Sequence, residues 1–183
     1  MSFKQGLLIA IFLFGTGLII GLVTPASTID LLFDEISAFE EFADILAPLP
    51  QLALFIIIYI RNLSVVLISF AFSPFFCLVP VLTLFSNGLF IGIVSILVLR
   101  EESIGFLLAG LLPHGILELP ALIMAEAVAL SFGTSVFQAL ISKEKRGLVL
   151  PNLRKNFKYL VIAAGLLFIA AIIEAFLTPL LLD

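Results

Sequence analysis

The 183-residue sequence has no tryptophan, one cysteine and one histidine, and only 12% of its residues are charged. A single cysteine, Cys77, excludes an intrachain disulfide and a cysteine zinc cluster, and its apolar surroundings read as plain packing. A single histidine excludes the His-Glu-x-x-His arrangement of a zinc protease. Nine bases against 13 acids leave no basic domain to grip nucleic acid. Without tryptophan, only Tyr59 and Tyr159 remain as interfacial aromatics. No linker, low-complexity tract, inverted repeat or second domain stands out. What is present in excess is apolar: 62% of residues, 19 of them phenylalanine, with mean hydropathy +1.31. A soluble domain of this size cannot hide so much apolar surface, so the chain reads as a polytopic membrane protein.

Long apolar runs place the spans at about 6–23, 52–70, 76–99 and 159–182. The first run, with Lys4 before it and Pro25-Ala26-Ser27 after it, has the outline of a signal peptide and is taken as an uncleaved first span. A further apolar region over 103–140 is too long for one span and contains Pro113 and Pro120, which predict a broken or re-entrant segment. Between the first two spans, Ile29, Leu32, Phe33, Ile36, Phe39 and Leu46 recur near helical spacing, with Asp30, Asp34, Glu40, Glu41 and Asp44 between them. That pattern predicts an amphipathic helix over 28–47, with Thr28 as its N-cap. The expected fold is a single all-α domain, residues 1–183. It is a transmembrane helix bundle of about five spans with one broken or re-entrant segment and an extra interfacial helix.

Charge sets the expected orientation. Six of the nine bases lie in a stretch predicted as a loop over 142–158, which places it in the cytoplasm. Six of the 13 acids lie between Asp30 and Asp44, a segment that anionic headgroups repel and that is expected outside. Five crossings then put the N-terminus in the cytoplasm and the C-terminus outside, in a multi-pass protein of the cell membrane.

The chemistry concentrates in Leu112-Pro113-His114-Gly115-Ile116-Leu117-Glu118-Leu119-Pro120-Ala121. Ionisable groups are costly in hydrocarbon and usually face a bundle interior or a cavity. His114 and Glu118, four residues apart, share a helix face, and Glu126 follows two turns later. This set suits a buried His–Glu hydrogen bond that fixes a helix break at Pro113, Gly115 and Pro120. It also suits proton or ion handling, or a divalent metal. Arg61, in mid-span, calls for a counter-charge from Glu118, Glu126 or Glu174. Asn62 and Asn87 read as interhelical hydrogen-bonding glue. Gly17-x-x-x-Gly21 and Gly88-x-x-x-Gly92 permit close helix contact, within the chain or between two copies.

The chain resembles the stage II sporulation protein M family of multi-spanning membrane proteins. The resemblance rests on Arg61-Asn62-Leu63-Ser64-Val65, on Ser86-Asn87-Gly88-Leu89-Phe90-Ile91-Gly92, on the Pro-His-Gly…Glu-Leu-Pro stretch at 113–120 and on Glu174-Ala175-Phe176-Leu177-Thr178-Pro179. Arg61 departs from the polar uncharged residue, commonly asparagine, that the family often has there. The resemblance implies a membrane scaffold that works with envelope partners. The expected function is therefore a non-enzymatic scaffold or complex component, embedded in the lipid bilayer, with membrane or envelope protein partners or a second copy of itself. No catalytic residue, cofactor or bound metal is expected. The alternative is a small transporter, channel or lipid-handling protein whose polar site is His114/Glu118. A water-filled cavity at that cluster favours the alternative; a dry, fully paired cluster favours the scaffold.

Overall fold

A computed structural model describes residues 1–25, 28 and 48–178. The amphipathic segment expected over 28–47 and the last residues of the fifth expected span lie outside the described residues. The described chain is helical, and five of its helices are long and apolar enough to cross a membrane. They are α1 (Phe3–Leu22), α2 (Gln51–Phe72), α3 (Leu78–Glu101), α4 (Ile104–Ile141) and α5 (Val149–Phe176), with a 3-10 turn at Lys143–Leu148 before α5. Large apolar side chains such as Leu8, Phe12, Ile19 and Phe76 stay exposed, the inverse of a soluble fold. Helices that are apolar all round belong in hydrocarbon.

Two of the helices start where a side chain satisfies a first-turn N–H group. Ser2 and Gln5 form a capping box on α1, and the Ser103 hydroxyl accepts from the Phe106 N–H at the start of α4. Pro80 and Pro151 sit in the first turns of α3 and α5, where an N–H has no intrahelical partner to lose. The basic stretch is therefore not the loop expected over 142–158. Pro151 is compatible with a helix start, and α5 is already under way at Val149. Arg146 Nε closes the other end of this connection, donating to the Ala139 carbonyl of α4 at 3.2 Å.

The expected break at Pro113 and Pro120 is also corrected. Helical backbone runs unbroken through both prolines, over 38 residues. Each proline removes one N–H and leaves the carbonyl four residues earlier without it. Breaking the helix in hydrocarbon would free several such groups, so continuing it is the smaller loss. At 1.5 Å per residue α4 is about 57 Å long, against about 30 Å of hydrocarbon, so it must extend past the hydrocarbon core.

Contacts between the helices fix their sense. Gly17 of α1 abuts Phe85 and Leu89 of α3, and Gly21 abuts Leu89, Gly92 and Ile93, so α1 and α3 run parallel. At Gly17, Gly21, Gly88 and Gly92 a Cβ would meet the neighbouring backbone; on Gly92 it would lie 2.8 Å from the Gly21 Cα. Both Gly-x-x-x-Gly stripes are thus consumed inside one chain, which decides between packing and dimerisation for them. Helix α4 carries the centre of the bundle through Ala121, Ala125, Ala127, Val128 and Ala129, with Leu160, Ala163 and Leu167 of α5 against it. The turn between α2 and α3 puts Phe76 and Cys77 at φ 56° and 55°, a left-handed conformation rare outside glycine. It is held because its Ser73 carbonyl presses on Gly133 and the Cys77 thiol donates to the Leu130 carbonyl at 3.7 Å.

Candidate functional site

Four helices contribute to a partly open cleft of about 440 Å³. Arg61 and Asn62 reach it from the eleventh and twelfth positions of the 22-residue α2, half-way along the span. Asn87, Ile91 and Val98 line it from one face of α3. Leu107, Leu111, Glu118 and Leu122, spaced by four, seven and four residues, line it from one face of α4. Glu174 and Thr178 close it from the far end of α5. A few convergent polar groups on apolar walls, at this volume, are the ordinary make-up of a small-molecule site.

The structure therefore brings together Arg61, Asn62, Asn87, Glu118 and Glu174. Glu118 is buried, Glu174, Asn62 and Asn87 are half-buried, and Arg61 is exposed. The expectation for Arg61 changes accordingly. Its guanidinium opens onto the cleft, whose wall also carries Glu118 and Glu174, two of the three acids expected to face it, while Glu126 lies elsewhere. Asn87 is not the interhelical glue expected of it. Its Nδ2 donates to the Thr83 carbonyl of its own helix at 2.8 Å. Gly115 is half-exposed and Pro120 is exposed on the outside of α4. Pro113 and His114 contribute helical backbone, and the expectation for the His114 side chain lies outside the described residues. Among the described residues no three histidine, cysteine, aspartate or glutamate side chains gather as metal ligands would.

Glu126 does not join the cleft. It is fully buried two turns further along α4, about 12 Å from Glu118 along the axis. There the Ser69 hydroxyl of α2 donates to its Oε2, while Oε1 has no hydrogen-bond partner among the described residues.

A second polar group went unread in the sequence. Ser131 and Ser135 of α4 face Asn152 and Asn156 of α5. Asn156 Nδ2 donates to Ser131 Oγ at 2.9 Å and also to Asn152 Oδ1, and Ser131 Oγ donates to the Met1 carbonyl at 3.0 Å. Asn152 Nδ2 donates to Ser135 Oγ. The signal that could have found them is the shared four-residue spacing of small polar residues on consecutive helices. This ladder opens on a smaller vestibule of about 320 Å³, with Lys145 and Lys155 on its wall. Lys4, Lys143, Lys145, Arg146, Arg154, Lys155 and Lys158, seven of the nine bases, lie toward this same end of the bundle.

Five apolar helices, four of them around a mid-span polar cleft, define an integral, multi-pass membrane protein in contact with lipid. The family model described as stage II sporulation protein M matches residues 9–179, nearly the whole chain, and the chain belongs to that family. It is also similar to the uncharacterized protein MJ0793 of Methanocaldococcus jannaschii, 29% identical over 120 residues, which are 65% of this chain and 67% of the relative. No solved structure matches it.

Proposed function

We propose that the protein binds a small polar solute in the mid-span cleft and passes it into or across the membrane. The observation that carries this reading is the convergence of Arg61, Asn62, Asn87, Glu118 and Glu174 on one partly open cleft between apolar helices. A guanidinium and two carboxyl groups in one cleft suit a solute that carries charge of both signs, because each end then meets an opposite partner as it leaves water. Polar groups at mid-depth between packed helices are the pattern of transporter sites. The scaffold role implied by the family resemblance would use the acidic segment 28–47, outside the described residues, and the basic stretch 142–158 as its partner-facing parts.

The cleft reading is tested by thiol labelling. In a Cys77→Ser background, Asn87→Cys is the only thiol, half-way down the bundle. A small membrane-impermeant methanethiosulfonate should modify it in intact vesicles, from one face only. Modification solely by a lipid-soluble maleimide would show a dry, lipid-facing position and end the reading.

The orientation proposed with it is cytoplasmic for the lysine-rich end and external for the cleft's other end, following the bias of basic residues. Lys145→Cys should therefore be protected from the impermeant reagent in whole cells, and Glu40→Cys should be labelled. Labelling of both from the same side contradicts the five-crossing arrangement.

A further inference from the structure

Glu126 is unexplained by the cleft. A carboxyl group in an apolar core is costly unless hydrogen-bonded, and far more so when ionised without a partner. This one is fully buried among Ala125, Ala127 and Val128, accepts one hydrogen bond from Ser69 and leaves Oε1 without a partner among the described residues. It is not needed to fill space, since leucine would do that at no polar cost. Its position is between two open regions, the cleft and the vestibule. Leu122, one turn before it, forms part of the cleft wall. Ser131, five residues after it, begins the ladder that ends at the vestibule.

We propose that Glu126 and Ser69 form a proton-binding site, loaded and emptied through the cleft wall at Leu122. In the loading step a hydronium ion in the cleft gives its proton to Oε1 of the carboxylate and leaves as water; an O–H bond forms on oxygen and one breaks on hydronium. Ser69 holds Oε2 through both states, so the site keeps its place on α2 while its charge changes. Among the described residues no counter-ion bonds to it: the Met1 carbonyl, and with it the amino end, sits at Ser131 five residues further along α4, Cys77 meets the Leu130 carbonyl, and Glu118 is two turns away on α4 itself. On α2, Arg61 is eight residues from Ser69, about 12 Å along the axis, and Tyr59 packs on the apolar cluster beside α4. On α5, Tyr159 packs on that cluster, and Lys155 lies at the vestibule with Lys158 over the Tyr159 ring. Lys4 of α1 is exposed, and Arg100 of α3 is at the opposite end of the bundle. A proton is then the cation that matches the carboxylate. The proposal rests on the cleft holding water, and it makes the proton the coupling ion for whatever solute the cleft takes.

The test is infrared difference spectroscopy of the full chain in lipid bilayers, stepping pH and exchanging water for deuterium oxide. The expected result is a carboxylic-acid carbonyl band that is lost in Glu126→Gln and displaced in Ser69→Ala. It should move on deuteration, with exchange at least tenfold faster in Leu122→Ala. Ser69→Ala retains the carboxyl and keeps the test open should Glu126→Gln fold poorly. A band absent from the native protein, kept in Glu126→Gln, or unmoved by deuteration overturns the proton site. The two readings separate cleanly. A labelled Asn87→Cys with a non-exchanging Glu126 band removes the proton site and leaves the cleft. An unlabelled Asn87→Cys with an exchanging band removes the cleft, and with it the proposed route to Glu126.

Discussion

Gly88→Leu is expected to abolish the folded bundle. A Cβ at Gly88 would run into the Phe14 carbonyl of α1 and lie 2.9 Å from the Leu18 nitrogen. These are backbone atoms of a helix, and they cannot turn aside as a side-chain tip can. Overpacking a core typically costs about 1–3 kcal/mol; here α1 must leave α3 altogether, so the loss lies at or beyond the top of that range. Gly165→Leu is the matched control, because nothing among the described residues lies within 4 Å of a Cβ there. Size-exclusion profiles and thermal unfolding in detergent should show Gly165→Leu near the native protein and Gly88→Leu as aggregate. Equal behaviour of the two would mean that α1 and α3 do not pack through these glycines.

Asn156→Leu is expected to be the most damaging single change outside the glycine interface. Asn156 is buried, and its Nδ2 serves both Ser131 Oγ and Asn152 Oδ1. Hydrogen bonds between membrane helices contribute about 0.6–2 kcal/mol each. Losing two while inserting a branched apolar side chain should cost about 1–4 kcal/mol on that basis. Ser131→Ala removes a hydroxyl without adding bulk and should cost less. Unfolding in graded detergent mixtures gives the ranking. If Ser131→Ala proves the worse of the two, the ladder is organised by the Met1 carbonyl on Ser131 and not by Asn156.

Much of the fold was legible because a bilayer imposes it. Runs of about 20 apolar residues must be helical to satisfy their own backbone, and four of the five expected spans coincide with observed helices to within a few residues at the described ends, α5 apart, which begins ten residues early. The error at Pro113 and Pro120 came from applying a soluble-protein cost to a medium where the alternative to a helix is worse. The error over 142–158 came from reading charge as loop. Charged side chains on a helix that leaves the hydrocarbon are solvated, so Arg154, Lys155 and Lys158 do not stop α5.

Of the candidate site, the residue types were visible and their grouping was not. Arg61, Asn62, Asn87, Glu118 and Glu174 stand out because each is expensive in an apolar run. Nothing in their spacing separates Glu118, which joins the cleft, from Glu126, which is sealed against Ser69. The sequence by itself determined the class of protein, the near-complete set of spans, the segregation of basic residues to one end and the short roll of costly polar groups. Those follow from composition and from rules that act on one helix at a time. Only the tertiary structure decided that the two glycine stripes meet each other within one chain, that Arg61 opens onto a cleft, and that Glu126 lies apart from it. The reason is geometric. Which face of one helix meets which face of another depends on crossing and axial register, and those are set by the packing of all five helices together.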